Sequence, residues 1–167
     1  MKYGSAMVQE DQDNRCDECG AAVPSEFASC KAVFEGVCSL EYGDPAYGAV
    51  HLLTVDAYTL QHSRERGPRS NAFHLMRLCR LIEHGDNPAI GQRPPREVGK
   101  AFERDYRGFP YLAPPRQPGA LTIMHVHDAV GPEDHVQRVR QYAKAVWDAW
   151  TEHHAWARQW ANRTPSV

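Results

Sequence analysis

Apolar residues recur along this chain every three or four positions rather than every second position. That spacing places them on one face of an α-helix. Four segments show it, and each has a residue suited to opening a helix near its start and a break near its end: Ser25 to Gly43, Pro45 to His62, Ser70 to Gly85, and Pro132 to Asn162. No alternating run is bounded by hairpin turns, so the pattern predicts an all-α fold, a compact helical bundle.

The second segment is predicted to be the central helix, because one of its faces is apolar and the opposite face is mixed. One face is apolar and is made of Val50, Leu53, Ala57 and Leu60. Asp56 lies at the edge of that face, where a buried carboxylate needs a partner. We therefore expect Asp56 to pair with a basic group from another helix or to orient a metal-bound histidine.

His51 and His62 share the opposite face of the central segment with Tyr58. The two histidines are eleven residues apart, a rise of about 16 Å along a helix. One ion cannot bind both, so we expect one to complete a metal site while the other serves elsewhere. A hydrogen-bonded structural role is the alternative for each.

The fourth segment predicts one continuous helix of about 45 Å, long enough to cross the whole domain. His153 lies in its apolar stripe between tryptophans, so we expect its ring to be buried and to need a partner. Asp56 is the predicted partner, directly or through one ion or water.

Proline residues interrupt the chain repeatedly between residues 86 and 118. One short helix from Arg96 to Arg104 fits between them. We expect the remainder to wrap the bundle in extended form, with Phe109, Tyr111 and Leu112 as anchors. Residues 1–14 read as a disordered tail, and residues 15–163 as a single helical domain.

The overall composition excludes several classes of protein. A formal net charge of -2 does not indicate a nucleic-acid partner, and no apolar run is long enough for a membrane span. The first residues lack a basic start followed by an apolar stretch, so we do not expect a secretory signal. Five cysteines, an odd number, favour a reducing cytoplasm with free or metal-bound thiols. The partner, whether protein or small molecule, and the oligomeric state are not indicated.

A candidate metal motif lies near the start, where Cys16 and Cys19 are separated by two residues and followed by Gly20. This spacing is typical of a zinc knuckle, whose turn aims two thiolates at one point. Cys30, near the predicted start of the first helix, is the best third ligand, and His51 or His62 is the candidate fourth. A redox pair and plain surface or core thiols are the alternatives.

Several motifs together resemble one protein family. They are Cys16-x-x-Cys19-Gly20, Phe27-x-x-Cys30-x-x-x-Phe34, Val50-His51 followed by Leu53-Thr54-Val55-Asp56-Ala57-Tyr58 and Gln61-His62, Leu121-Thr122-Ile123, and Val146-Trp147-Asp148-Ala149-Trp150 with His153-His154. This combination is similar to the uncharacterised bacterial DUF5946 proteins, over roughly Cys16 to Trp160. The resemblance implies no activity, but it supports treating the cysteines, Asp56 and these histidines as one constellation.

Three functional hypotheses follow. In the first, the protein binds zinc mainly for structure, and three cysteines with one histidine close the shell. In the second, it is a metal-dependent enzyme with an open histidine site like that of the DinB-type bundles. His51 or His62 with His153, and His125 or His127, would hold the ion, and Asp56 or Tyr58 would transfer protons. In the third, it is a metal-free interaction protein.

Overall fold

The computed structural model describes residues 14–64, 68–85 and 106–163. Residues 1–13 of the predicted tail, the predicted helix from Arg96 to Arg104 and most of the proline-rich segment lie outside the described residues. Within the described part, no β-strand forms, and the single extended pairing is an isolated antiparallel bridge between Arg15 and Ala22. The predicted all-α fold is confirmed.

Seven α-helices build the described part of the bundle. They are α1 (Cys30–Gly43), α2 (Pro45–Gly48), α3 (His51–Gln61), α4 (Pro68–Cys79), α5 (Ile123–His127), α6 (Gly131–Ala149) and α7 (His154–Ala161). A π-helical turn, Arg80–His84, extends α4 and ends at Gly85, whose φ of 71° is the left-handed conformation that glycine favours. Gly85 was the predicted stop of this helix.

Helix α1 begins four residues later than the predicted cap would place it. Ser29, rather than Ser25, is the N-cap, and its hydroxyl oxygen accepts a hydrogen bond from the backbone N–H of Ala32 at 3.2 Å. The stretch before it is occupied by a turn in which Phe27 N–H bonds the Pro24 carbonyl. As a result, Cys30 is the first residue of the helix.

Helix α3 is the centre of the bundle, as its two-faced pattern predicts. It packs against α1, α4 and α6, and nine of its eleven residues are buried. The predicted helix from Pro45 to His62 is wrong at Ala49 and Val50, which form a turn between α2 and α3. Asp44 caps α2 separately by accepting from Ala46 N–H.

The predicted 45 Å C-terminal helix is also wrong, because the chain bends after Ala149. Trp150 is 1% exposed, and a 3₁₀ turn, Thr151–His153, separates α6 from α7. Side chains donate to carbonyl groups at the end of α6: the Thr151 hydroxyl donates to Asp148 O, and His154 Nε2 donates to Trp147 O, which also accepts from the backbone N–H of Trp150. The bend lets α7 pack on α4.

The described end of the proline-rich segment is anchored on this bend. Phe109 is 4% exposed and lies edge-on to Trp156 and Trp160, at centroid distances of 5.6 and 5.1 Å. Leu112 is 5% exposed, but Tyr111 is 66% exposed. Two of the three predicted anchors are confirmed, and Tyr111 is wrong.

Candidate metal centre

A tight turn at residues 14–23 brings the first two cysteines together. Cys16 N–H bonds the Ala21 carbonyl at 2.9 Å, and Gly20 N–H bonds the Cys16 carbonyl at 2.8 Å. Gly20 has a φ of 72°, which a residue with a side chain adopts only with strain. The local sequence therefore forms the knuckle-like turn that its spacing predicts.

Two helix ends supply the other candidate ligands. Cys30 opens α1, and His62 follows the last residue of α3. Cys16 Sγ and Cys30 Sγ each lie 3.4 Å from His62 Nε2, and Cys19 Sγ lies 3.7 Å from Cys30 Sγ. All four ligand atoms are within 4.8 Å of one another, so they can hold one metal ion.

The ring of His62 is oriented for this role. Its Nδ1 donates to the Tyr58 carbonyl at 2.9 Å, which leaves the Nε2 lone pair facing the sulfur atoms. The Tyr58 ring stacks on the His62 ring at 3.9 Å, and Phe34 stacks on Tyr58 at the same distance. This aromatic stack holds the imidazole at one angle.

The three thiols do not ionise independently. The hydrogen bond to Cys30 lowers the pKa of Cys19 to about 4, and the same contact, together with burial, raises the pKa of Cys30 well above the ordinary thiol value. Burial also raises the pKa of Cys16. Crowded sulfurs can all become thiolates only when a cation neutralises them, which is what a bound metal does.

The cysteine centre, defined as Cys16, Cys19, Cys30 and His62, borders an open cleft of about 480 Å³. Three of the four candidate ligands line this cleft, together with Tyr58, so solvent reaches the centre from one side. Burial raises the pKa of the Tyr58 hydroxyl, so this group is protonated at neutral pH.

His51, the other candidate fourth ligand, lies away from the cysteines. Its Nδ1 is 2.8 Å from Oε2 of Glu41, and His135 Nε2 donates to Oε1 of the same carboxylate at 3.0 Å. The Thr54 hydroxyl also donates to Oε1. Of the two histidines on the central segment, His62 reaches the cysteine centre and His51 does not.

Sequence reasoning missed Glu41 and His135. Glu41 is fully buried and His135 is 1% exposed, although both read as ordinary polar residues of a helix. Burial alone would raise the pKa of Glu41, but hydrogen bonds from His135, His51 and Thr54 together hold it below the usual value. Cys38 also lies at this cluster. The separation of 94 residues between Glu41 and His135 left no local signal.

Asp56 pairs with basic groups of α4. Its carboxylate accepts from Arg77 Nε at 2.8 Å, from Arg77 Nη2 at 2.6 Å and from His74 Nδ1 at 2.6 Å. The expectation of a basic partner from another helix is confirmed. The expected pairing with His153 is wrong: the 3₁₀ turn carries His153 off the stripe, where it is half-buried and its Nε2 donates to Ala113 O.

The histidines proposed for an open enzyme site do not meet. His125 bonds Gln141 at the surface, His127 packs edge-on against Phe27, and His153 faces Ala113. Tyr58 borders the cysteine centre, whereas Asp56 belongs to a separate ion pair. Among the described residues, this set forms no common site.

The chain matches the model of one known protein family. The model of DUF5946, described as a family of unknown function, matches residues 14–151. The protein belongs to the DUF5946 family. That match spans every residue of the cysteine centre and confirms the resemblance carried by the motifs. No curated protein matches the chain, and no solved structure does.

Within residues 14–64, 68–85 and 106–163, no helix is both long and apolar enough to cross a bilayer.

Proposed function

We propose that this DUF5946 protein binds zinc at the cysteine centre and that the ion is mainly structural. The spacing of the ligand atoms carries the proposal. Tetrahedral zinc has Zn–S bonds of about 2.3 Å and Zn–N bonds of about 2.0–2.1 Å, which set sulfurs about 3.8 Å apart and sulfur and nitrogen about 3.6 Å apart. The corresponding distances here are 3.7 Å for Cys19 to Cys30 and 3.4 Å for both sulfurs to His62.

The donor set favours zinc over the harder divalent ions. Three thiolates and one imidazole suit a borderline-soft ion in tetrahedral geometry, whereas Mg²⁺ and Ca²⁺ prefer oxygen ligands. Four protein ligands leave no position for water on the ion, which is the pattern of structural rather than catalytic zinc.

The structural role follows from what the four residues connect. Cys16 and Cys19 belong to the N-terminal turn, Cys30 to the start of α1, and His62 to the end of α3. One ion would therefore fasten a turn with little core of its own to the central helix, closing a loop from residue 16 to residue 62. In the unfolded chain these ligands are apart, so the free energy of zinc binding becomes free energy of folding.

A reducing compartment accords with this proposal. All five cysteines are free, and three of them would have to remain thiolates to hold the ion. We therefore propose a cytoplasmic location. Oxidation of the centre would abolish zinc binding.

Elemental analysis of the purified protein tests the proposal. We expect zinc in the wild-type protein and its loss from the cysteine centre in the double variant Cys16→Ser, Cys19→Ser. Cys79→Ala is the matched control, because Cys79 is a free cysteine on α4 outside the centre and its loss should leave zinc in place. Unchanged metal content in the double variant would reject the cysteine centre as the site.

A further inference from the structure

A second group of ligand-type side chains lies toward the other end of α1. Cys38 and Glu41 lie three residues apart on this helix, and His51 opens α3. Cys38 is eight residues beyond Cys30, a rise of about 12 Å, so this group shares no ligand with the cysteine centre. From it we infer a second metal site, in which Cys38, Glu41 and His51 bind a divalent transition-metal ion.

The three side chains converge because of helix geometry. Residues three apart in a helix project on the same side, so the thiol of Cys38 and the carboxylate of Glu41 face α3 together. One ligand atom from each of Cys38, Glu41 and His51 lies within 4.8 Å of the others. The closest approach is 2.8 Å, between Glu41 Oε2 and His51 Nδ1.

The carboxylate is held so that one oxygen is directed to this point. Glu41 Oε1 accepts hydrogen bonds from the Thr54 hydroxyl and from His135 Nε2, which come from α3 and α6. Those bonds leave Oε2 facing His51. Metal-ligating carboxylates are commonly fixed in this way by outer hydrogen bonds, and their loss weakens metal binding. His135 and Thr54 are therefore positioning residues for Glu41.

Glu41, His51 and His135 are buried, so a role in packing alone would be energetically unfavourable for these polar side chains. Glu41 is fully buried, and His51 and His135 are 7% and 1% exposed. Apolar side chains in place of Glu41, His51 and His135 would avoid the desolvation of a carboxylate and two imidazoles. A bound cation compensates the charge that this arrangement places in the interior. Without an ion, the His51 Nδ1–H donates to Glu41. With an ion, His51 would carry its proton on Nε2 instead, and Nδ1 and the carboxylate would both serve as ligands.

The second site differs from the cysteine centre in its coordination. Three protein ligands leave a fourth position of a tetrahedral shell open for water or a small anion, as in catalytic zinc centres. Cys38 is half-buried, which provides an approach from solvent. Sulfur, oxygen and nitrogen donors together suit Zn²⁺, Co²⁺ or Fe²⁺ better than Ca²⁺ or Mg²⁺.

Counting metal ions per chain tests the inference. The full-length protein is stripped of metal under reducing conditions, dialysed against Zn²⁺ or Co²⁺, and measured by elemental analysis. We expect two ions per wild-type chain and one in Cys38→Ser. Cys79→Ala is the matched control and should keep two. One ion per wild-type chain, with no change in Cys38→Ser, would overturn the second site.

Further variants separate this inference from the zinc proposal. Cys16→Ser with Cys19→Ser should lose the first ion and keep the second, whose cobalt spectrum should show one thiolate ligand. If Cys38→Ser removes an ion while the Cys16, Cys19 variant loses none, the second site stands and the proposed structural centre fails. A substitution at the fully buried Glu41, such as Glu41→Gln, is more disruptive to folding than one at Cys38. Because Cys38 is half-buried, Cys38→Ser is expected to fold and can be used for the test even if Glu41→Gln does not fold.

The positioning residues provide a graded readout. Thr54→Val and His135→Gln should each weaken Co²⁺ binding at the second site by about 10- to 100-fold, with the ion at the cysteine centre unaffected. His125→Gln is the control, since His125 is hydrogen-bonded at the surface to Gln141. Equal cobalt affinity in wild type, Thr54→Val and His135→Gln would contradict the proposal that Thr54 and His135 position Glu41 as a metal ligand.

Discussion

The Asp56 cluster and the cysteine centre both place several ionisable groups in the protein interior, but their polar atoms are matched in opposite ways. Around Asp56, two nitrogens of Arg77 and one of His74 donate to two carboxylate oxygens. In the cysteine centre, sulfur atoms face one another and the lone pair of His62. The first cluster balances its own charge, whereas the second has the donor atoms to hold a cation.

This difference distinguishes a structural ion pair from a metal site without any knowledge of function. A buried carboxylate with a guanidinium partner has donors for its acceptors. The cysteine centre has thiol protons and backbone N–H groups as donors, but no guanidinium belongs to its four residues. Glu41 lies between these cases, because both of its oxygens accept hydrogen bonds and the thiol of Cys38 is also within reach of its carboxylate.

Removing the metal from the cysteine centre should have the largest effect on stability. Structural zinc sites bind with apparent free energies of about 10–16 kcal/mol in small peptides, comparable with the whole stability of a domain. A strong chelator should therefore lower the Tm of the wild-type protein sharply, and added Zn²⁺ should restore it. Thermal melts followed by circular dichroism measure this. A Tm that is insensitive to chelation would contradict a structural ion.

Breaking the Asp56 ion pair should have the next largest effect. Asp56→Asn leaves the guanidinium of Arg77 without its anionic partner inside the protein, which typically costs about 3–5 kcal/mol of unfolding free energy. Zinc content per folded chain should stay the same, because Asp56 contacts none of the cysteine-centre residues. Urea unfolding with elemental analysis checks both statements. Loss of metal in Asp56→Asn would show that the two regions are coupled.

The coupling between Asp56 and its partners should be smaller and local. A double-mutant cycle of Asp56→Asn with His74→Gln should be non-additive by about 0.5–3 kcal/mol, because these side chains share a hydrogen bond of 2.6 Å. The matched cycle with His153→Gln should be additive within about 0.5 kcal/mol, since His153 bonds Ala113 instead. Coupling in the second cycle would support the pairing of Asp56 with His153 that was expected from the sequence.

The ion pair of Glu83 with Arg158 should have the smallest effect, because solvent reaches it. The hydrogen bond with Arg158 holds the pKa of Glu83 below the ordinary glutamate value. The stability it contributes is present above the ordinary glutamate pKa and is lost as the pH falls through the lower folded value. The small Tm difference between wild type and Glu83→Gln should therefore disappear in acid and shrink at high salt. A difference that persists under both conditions would contradict this origin.

The all-α architecture and the chemistry near the first helix could be predicted from sequence because they depend on local patterns. The spacing of Cys16 and Cys19 with Gly20 defines a turn, and apolar periodicity marks α3 as central. Those signals lie within a few residues of one another. The same reasoning separated His51 from His62, since a rise of about 16 Å cannot be bridged by one ion.

Tertiary structure alone decided what each helix face meets. Helical periodicity shows that Asp56 is buried, but the register of α3 against α4 determines that Arg77 and His74 reach it. The bend at Trp150 placed His153 elsewhere, and the approach of α6 to α1 brought His135 to Glu41. Contacts between residues far apart in the chain depend on how side chains interdigitate in three dimensions, and the sequence of one helix carries no information about the register of its neighbour.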